Sequence, residues 1–397
     1  MAFWDSLFQP RRRALWWVQF TENYPVVPNL IAIVGLVSIT LALAQFTGIR
    51  TANLESGANI QSQKVETVSQ SAEVSTNPVS RVRQLYRTWF PEEVRSIVYQ
   101  LYHNPALYLF IPFLLLLEFL FPVNASQPLI GKAFLQDTIW FVAYSPIKIL
   151  ILFPIGTVIQ GIFAAHRQFF DIGAAAAWPM WIRAIAALLL SEFIFWFNHF
   201  VRHKVRVLWL FHAVHHSQKQ INVFTEDRDH IVDAFVQYVV AFFPFFLFQL
   251  PNFFAVTAIG LYMPIHNRFI HSNIKLNLGW LGWVITSPQF HRVHHSALPE
   301  HADKNFGGHF SLFDHLFGTA CRSTNVYPET GIVDSQFPFE DNLKWWQLPA
   351  NWLKQTVYPF AQLFEEQTNR VRVLIGQQQP QPAPYQAEKQ RTADLRQ

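Results

Sequence analysis

The chain has one cysteine, Cys321, in 397 residues. That excludes an internal disulfide, a thiolate zinc site and an iron–sulfur cluster, each of which needs several thiolates. Charge is scarce as well, at 14% of residues where soluble proteins average about 25%. The shortfall points to a bilayer rather than to a large soluble core. The net charge of +4 is too small to indicate a nucleic-acid partner, and the basic groups beside apolar runs serve to set membrane topology. No haem, flavin or nicotinamide motif is present, nor any internal repeat. The Glu-x-x-His pair that builds bundle di-iron carboxylate sites is also missing.

What is abundant is apolar and aromatic: 51% hydrophobic residues, with 39 Phe and 14 Trp, as suits contact with acyl chains and interfaces. The pattern predicts an all-α, polytopic membrane protein with about four transmembrane helices, a helical re-entrant hairpin and a His-rich cytosolic cap. Residues 1–48 read as a lead and membrane anchor, with an apolar run over 28–46 and no small-residue cleavage site to mark a signal peptide. Residues 49–80 are polar and read as a disordered linker. Residues 81–345 form the expected membrane-embedded domain, with its core at 190–320. It starts with an amphipathic helix over 81–104, followed by spans over 106–121, 138–163 and 178–197. Residues 231–264, with Pro244 and Pro251, read as a hairpin that dips into the membrane. Residues 346–397 read as a C-terminal helix and a low-complexity tail. Arg11, Arg12 and Arg13 hold the N-terminus in the cytoplasm, and four spans then return the chain to that side before His199.

There are 16 histidines, most of them between His199 and His301. Three clusters stand out: His199-x-x-x-His203, His212-x-x-His215-His216 and His291-x-x-His294-His295. Residues three and four apart share a helix face, so each cluster aims two or three imidazoles one way. Together they offer enough nitrogen for two metals with positions left open, and imidazole suits iron, copper, nickel or zinc. A structural zinc site is a single closed four-ligand shell, so this excess argues for redox chemistry. A metal transporter or metal-binding membrane protein without redox catalysis is the rival. Transport sites, however, lie on ionisable groups near mid-membrane, whereas these clusters lie at the ends of spans.

The segments EFIFWFNHFVRH, LWLFHAVHHSQKQINVFTEDRDH, HSNIKL, TSPQFHRVHHS and DKNFGGHFSLFDHLFGT resemble the fatty acid hydroxylase/sterol desaturase family of membrane di-iron oxidases. The likeness covers about residues 190–320. It implies two iron ions (zinc is an expected substitute in purified material) held by His199, His203, His212, His215, His216, His271, His291, His294 and His295. His266 is a further candidate ligand, one position before Asn267, where relatives place a polar or His residue. The resemblance also implies O2-dependent hydroxylation or desaturation of a lipid C–H bond, with electrons from cytochrome b5 or a ferredoxin and its reductase, and histidine boxes on the cytoplasmic face. Glu192, Asn222, Asp229, His230, Asn305 and Asp314 are candidates to orient the ligands, since a ligating imidazole donates its other N–H to an acceptor. Arg228 reads as part of an exposed charged loop. Phe200 after His199, Glu192 in place of the usual Asp, and Phe313-Asp314-His315 in place of Trp-Asp-Arg depart from the family pattern.

Overall fold

A computed structural model describes residues 105–374, apart from most of 145–176 and from 242, 249, 251–261, 322 and 324. The expected anchor, linker, 81–104 helix and C-terminal tail, and most of the third expected span, lie outside the described residues. Residues 114–374 belong to one compact unit; Pro105–Phe113 belong with a second. The described residues are helical, with isolated β-bridges and no strand among them.

Ten α-helices are bounded among the described residues. Helix α1, Pro105–Leu120, has 16 apolar-rich residues and corresponds to the second expected span. At ~1.5 Å per residue it reaches about 24 Å, short of a bilayer core. Helix α2, Lys132–Ile139, runs into a π-helical turn, Trp140–Tyr144. Helix α3, Met180–Lys204, is the one described helix long and apolar enough to cross a membrane. Its outward side chains are apolar, with Trp181, Ile185 and Leu189 exposed. The count of four spans is therefore not reproduced among the described residues.

Sequence patterning ends this span at residue 197 and puts the first histidines in a polar block over 198–230. The helix instead continues to Lys204, because no glycine or proline interrupts Phe197–Lys204, and it carries His199 and His203 itself. Its last turn carries Arg202 and Lys204 where the carbonyl end of the dipole favours cations. One extended residue, Val205, re-aims the chain into α4, Arg206–His216.

The first part of the expected hairpin is α5, Ile231–Ala241, and α6, Phe243–Leu247. The next described helix is α7, Met263–Ile270, capped by His271. Helix α8, Pro288–His294, has a strong start signal: Pro288 opens it and the Ser287 hydroxyl accepts from Phe290 N at 3.1 Å. Helix α9, Leu312–Phe317, ends at Gly318, and α10, Leu348–Leu374, is the last described element. Helix α3 packs on α4, α5 and α6; α4 and α2 pack on α10; α7 packs on α8.

Arg228 is fully buried, contrary to its reading as an exposed loop residue. It donates to Asp137 and to Glu340, both at 2.6 Å, and to Ser217 at 3.1 Å. The RDH segment is therefore a knot tying α2, the end of α4 and the 340 region together. Charged neighbours in sequence gave it a solvent-facing look, but two acidic partners more than a hundred residues away in one direction and ninety in the other make burial feasible.

Candidate metal centre

The three clusters sit on three helices. His199 and His203 are one turn apart on α3; His212, His215 and His216 end α4; His291 and His294 lie on α8, with His295 as its cap. His271, the cap of α7, joins them. All nine are buried, none more than 7% exposed. They fall into two groups: His199, His203, His212, His216 and His294 in one, and His215, His271, His291 and His295 in the other. Within each, the candidate ligand atoms lie within 4.8 Å of one another. The division cuts across the clusters. On α4 the i,i+4 pair His212/His216 serves the first group while His215 turns to the second. On α8 the pair His291/His295 serves the second while His294 turns to the first. A step of three residues lands about 60° from the starting face, enough to reach a neighbouring centre.

Hydrogen bonds fix the tautomers. His199 Nδ1 donates to the Phe306 carbonyl at 2.7 Å, His215 Nδ1 to the Arg228 carbonyl at 3.2 Å, His271 Nδ1 to the Asn267 carbonyl at 2.7 Å and His294 Nδ1 to the Lys304 carbonyl at 2.8 Å. His212 Nδ1 donates to Asp233 Oδ2 at 2.9 Å. Each of these rings therefore presents a bare Nε2 lone pair. Those lone pairs face one another at close range: His199 to His212 at 3.0 Å and His215 to His271 at 3.0 Å. Lone pairs so placed repel unless a cation lies between them. Ligands at right angles around a metal, each at about 2.1 Å, would be ~3.0 Å apart. Two more nitrogens, His203 Nε2 and His294 Nε2, are buried with no hydrogen-bond partner. The donor set fits two imidazole-bound cations.

Burial keeps these rings neutral. It holds His212, His215, His216, His291 and His295 well below the usual imidazole range, and neighbouring cationic and imidazole groups push the same way. Burial brings His271 down to about 3 and His294 to about 4. Protons thus compete poorly with a metal here. Carboxyls nearby are held in the opposite sense. Desolvation and then Asp227 push Glu226, 3.2 Å from His271 Nδ1, up to about 7. Positive charge at the histidines would favour its ionised form.

A cavity with about 50 Å³ open to the centre of a water-sized sphere touches both groups, through His199, His212, His215, His271 and His291. A water needs on the order of 10–15 Å³ on that measure, so a few small molecules fit. Its wall includes Phe195, Ile270 and Phe306 as well as Glu226, Asp229 and Asp233.

The remaining candidates bond to groups other than the nine clustered rings, though Asp229 also lines the cavity. His266 is outside both groups, and its Nε2 bonds the Thr286 carbonyl at 3.1 Å. Glu192 Oε2 accepts from His309 Nδ1 at 3.2 Å. Burial lowers the pKa of His309, but Glu192 reverses this and the net shift is upward. Asn222 donates to Asp137 at 2.8 Å, Asp229 pairs with Lys148 at 3.5 Å, and His230 bonds the Thr356 carbonyl at 3.2 Å. Asn305 bonds the Phe290 carbonyl at 2.9 Å, and Asp314 accepts from Phe306 N at 2.8 Å and Gly307 N at 2.6 Å. Those two steady the loop whose Phe306 carbonyl holds His199, so they reach the site through backbone. The acids that touch ligand rings directly, Asp233 and Glu226, escape the sequence reading. An aspartate in the apolar run IVDAFVQYVVA was the available signal for Asp233, since an acid in an apolar helix is functional by default.

Residues 184–319 match the sequence model of the fatty acid hydroxylase family. The ornithine lipid hydroxylase OlsE of Rhizobium tropici is 28% identical over 167 residues, 42% of this chain and 48% of that protein. The alkylglycerol monooxygenase of Danio rerio is 31% identical over 152 residues, 38% of this chain and 32% of its own, and the Homo sapiens enzyme 30% over 134 residues, 34% and 29%. The chain thus matches about half or less of the length of these relatives. No solved structure matches. The matched stretch, about a third of the chain, runs from α3 to the end of α9 and contains all nine clustered histidines, and over it the chain is similar to the fatty acid hydroxylase family.

Proposed function

We propose that the chain is a multi-pass membrane monooxygenase that hydroxylates a lipid C–H bond, using O2 and two iron ions, with its histidines on the cytoplasmic side. The observation that carries this is the gathering of nine buried, neutral imidazoles into two groups beside one cavity. Relatives named as a hydroxylase and as monooxygenases favour oxygen insertion over desaturation. The balance is R–H + O2 + 2 electrons + 2 protons giving R–OH + H2O, with the electrons from a separate carrier such as cytochrome b5 or a ferredoxin.

When bound, the two ions would supply the activation of O2. The protein's share is to hold His199, His203, His212, His216 and His294 toward one ion and His215, His271, His291 and His295 toward the other. Asp233 orients His212 and offsets charge, as Glu226 does beside His271. The small cavity limits water around the reacting carbon, and Phe195, Ile270 and Phe306 give it apolar surface for an acyl or alkyl segment. Purified protein should contain two irons per chain and consume O2 with a reductant and a lipid extract, while His215→Ala should lose both the second iron and turnover. Protein with no redox metal, or metal flux into proteoliposomes without lipid oxidation, would overturn the proposal.

A further inference from the structure

Helix α10 has an unusual distribution of polarity. Its buried face sets Asn351, Gln355 and Gln362, at 4%, 0% and 7% exposure, beside the apolar Leu348 and Tyr358. These side chains bond inward: Asn351 to Gln136 at 3.2 Å, Gln355 to the Trp140 indole N–H at 2.9 Å, and Gln362 to Gln336 at 2.7 Å. The outer face is apolar. Leu353, Val357, Phe360, Phe364 and Val371 are 55%, 57%, 50%, 76% and 55% exposed. At ~100° per residue these five fall within an arc of about 60°, opposite the polar face. A water-facing helix has the reverse arrangement. The stripe thus calls for an apolar environment that this chain does not itself provide among its described residues.

Three features identify that environment as a bilayer. Exposed Trp345 and Trp346 precede the helix, and exposed Lys344 and Lys354 flank its first turns, the mixture that membrane interfaces select. Glu366 pairs with Arg206 at 2.6 Å, two residues past the end of α3. Phe360 packs on Phe211 of α4 with ring centroids 5.2 Å apart. The stripe is therefore anchored at the level where α3 ends, and α3 has an apolar outer face of its own.

We propose that α10 lies along the membrane surface, its Leu353–Val371 stripe among the acyl chains and its polar inner face clamped to the histidine-bearing domain. This rests on α3 crossing the bilayer. It makes α10 a horizontal tether that fixes the depth of α4, and with it the depth of the metal centre.

The test uses the full-length chain in phosphatidylcholine/phosphatidylglycerol vesicles. Cys321→Ser removes the only native thiol, and single spin labels are placed through Leu353→Cys, Val357→Cys and Phe364→Cys on the stripe, Glu365→Cys on the flank and Leu189→Cys on α3. These side chains are exposed, so labels there leave the core alone. Stripe labels should collide with O2 more than with a water-soluble nickel chelate, with nickel collisions about tenfold fewer than at Glu365. Nickel access at the stripe equal to that at Glu365, with Leu189 in lipid, overturns the tether alone. Spin–spin broadening confined to the stripe shows a second copy as its occupant and overturns the bilayer assignment. Water access at Leu189 overturns the span and the tether together.

Discussion

A ligating histidine uses both of its nitrogens, one for the ion and one for the protein that aims it. In this centre four of the aiming partners are backbone carbonyls and one is a carboxylate, Asp233, which also receives Arg202 at 2.8 Å. The carboxylate is the partner a substitution can remove. Asp233→Asn should lower metal affinity by about 10–100-fold through the tautomer and basicity of His212, read by chelator competition, with the helical circular dichroism signal unchanged. His266→Gln, outside both groups, should leave the metal content as it is. Loss of an ion in His266→Gln would make His266 a ligand and redraw the two groups.

At the scale of elements, the turn between α8 and α9 does as much for the site as the helices do. Asp303 and Asn305 adopt left-handed φ of 59° and 58°, and Asp314 gathers Phe306 N, Gly307 N, the Trp196 indole N–H and Thr319. A Cβ on Gly307 would meet the Phe310 carbonyl at 2.3 Å and Asp314 Oδ2 at 2.9 Å. Gly307→Ala should therefore displace the Phe306 carbonyl, free His199 and deplete the first ion before the second, measurable as a metal count falling from two toward one. The helical boxes were legible in sequence because spacings of three and four have a single meaning on a helix. The turn was legible only as a turn. DKN is a turn-forming string, whereas FDH lies within α9; that the Lys304 and Phe306 carbonyls would aim His294 and His199 depends on how the loop crosses α3 and α8, which no local pattern encodes. For the same reason Glu192 and Asn222, acceptors by type, went to His309 and Asp137 instead of to ligands.

For the molecule as a whole, the fully buried Arg228 links segments from residue 137 to residue 340. Arg228→Met leaves two carboxylates in the interior without their cation and should cost about 3–5 kcal/mol, seen as a large drop in unfolding midpoint in detergent. Metal binding should act on the same measurement. At free metal of 100 times the dissociation constant each ion adds about 2.7 kcal/mol, so exhaustive chelation should lower the midpoint and re-addition restore it. Sparse charge and abundant phenylalanine are global properties that point to a bilayer, and α3 is the one described helix long and apolar enough to cross one. A C-terminal helix is expected from residue 346 on and α10 starts at Leu348, but which of its faces the rest of the chain covers is not written in composition.

The crossing-over of ligands at α4 and α8 bears on how such a centre can change over generations. One inserted or deleted residue between His212 and His215 turns the two following rings by about 100° about the helix axis and so removes donors from both ions at once. Substitution of a single histidine can cost one ion, but a change of length in this helix costs both.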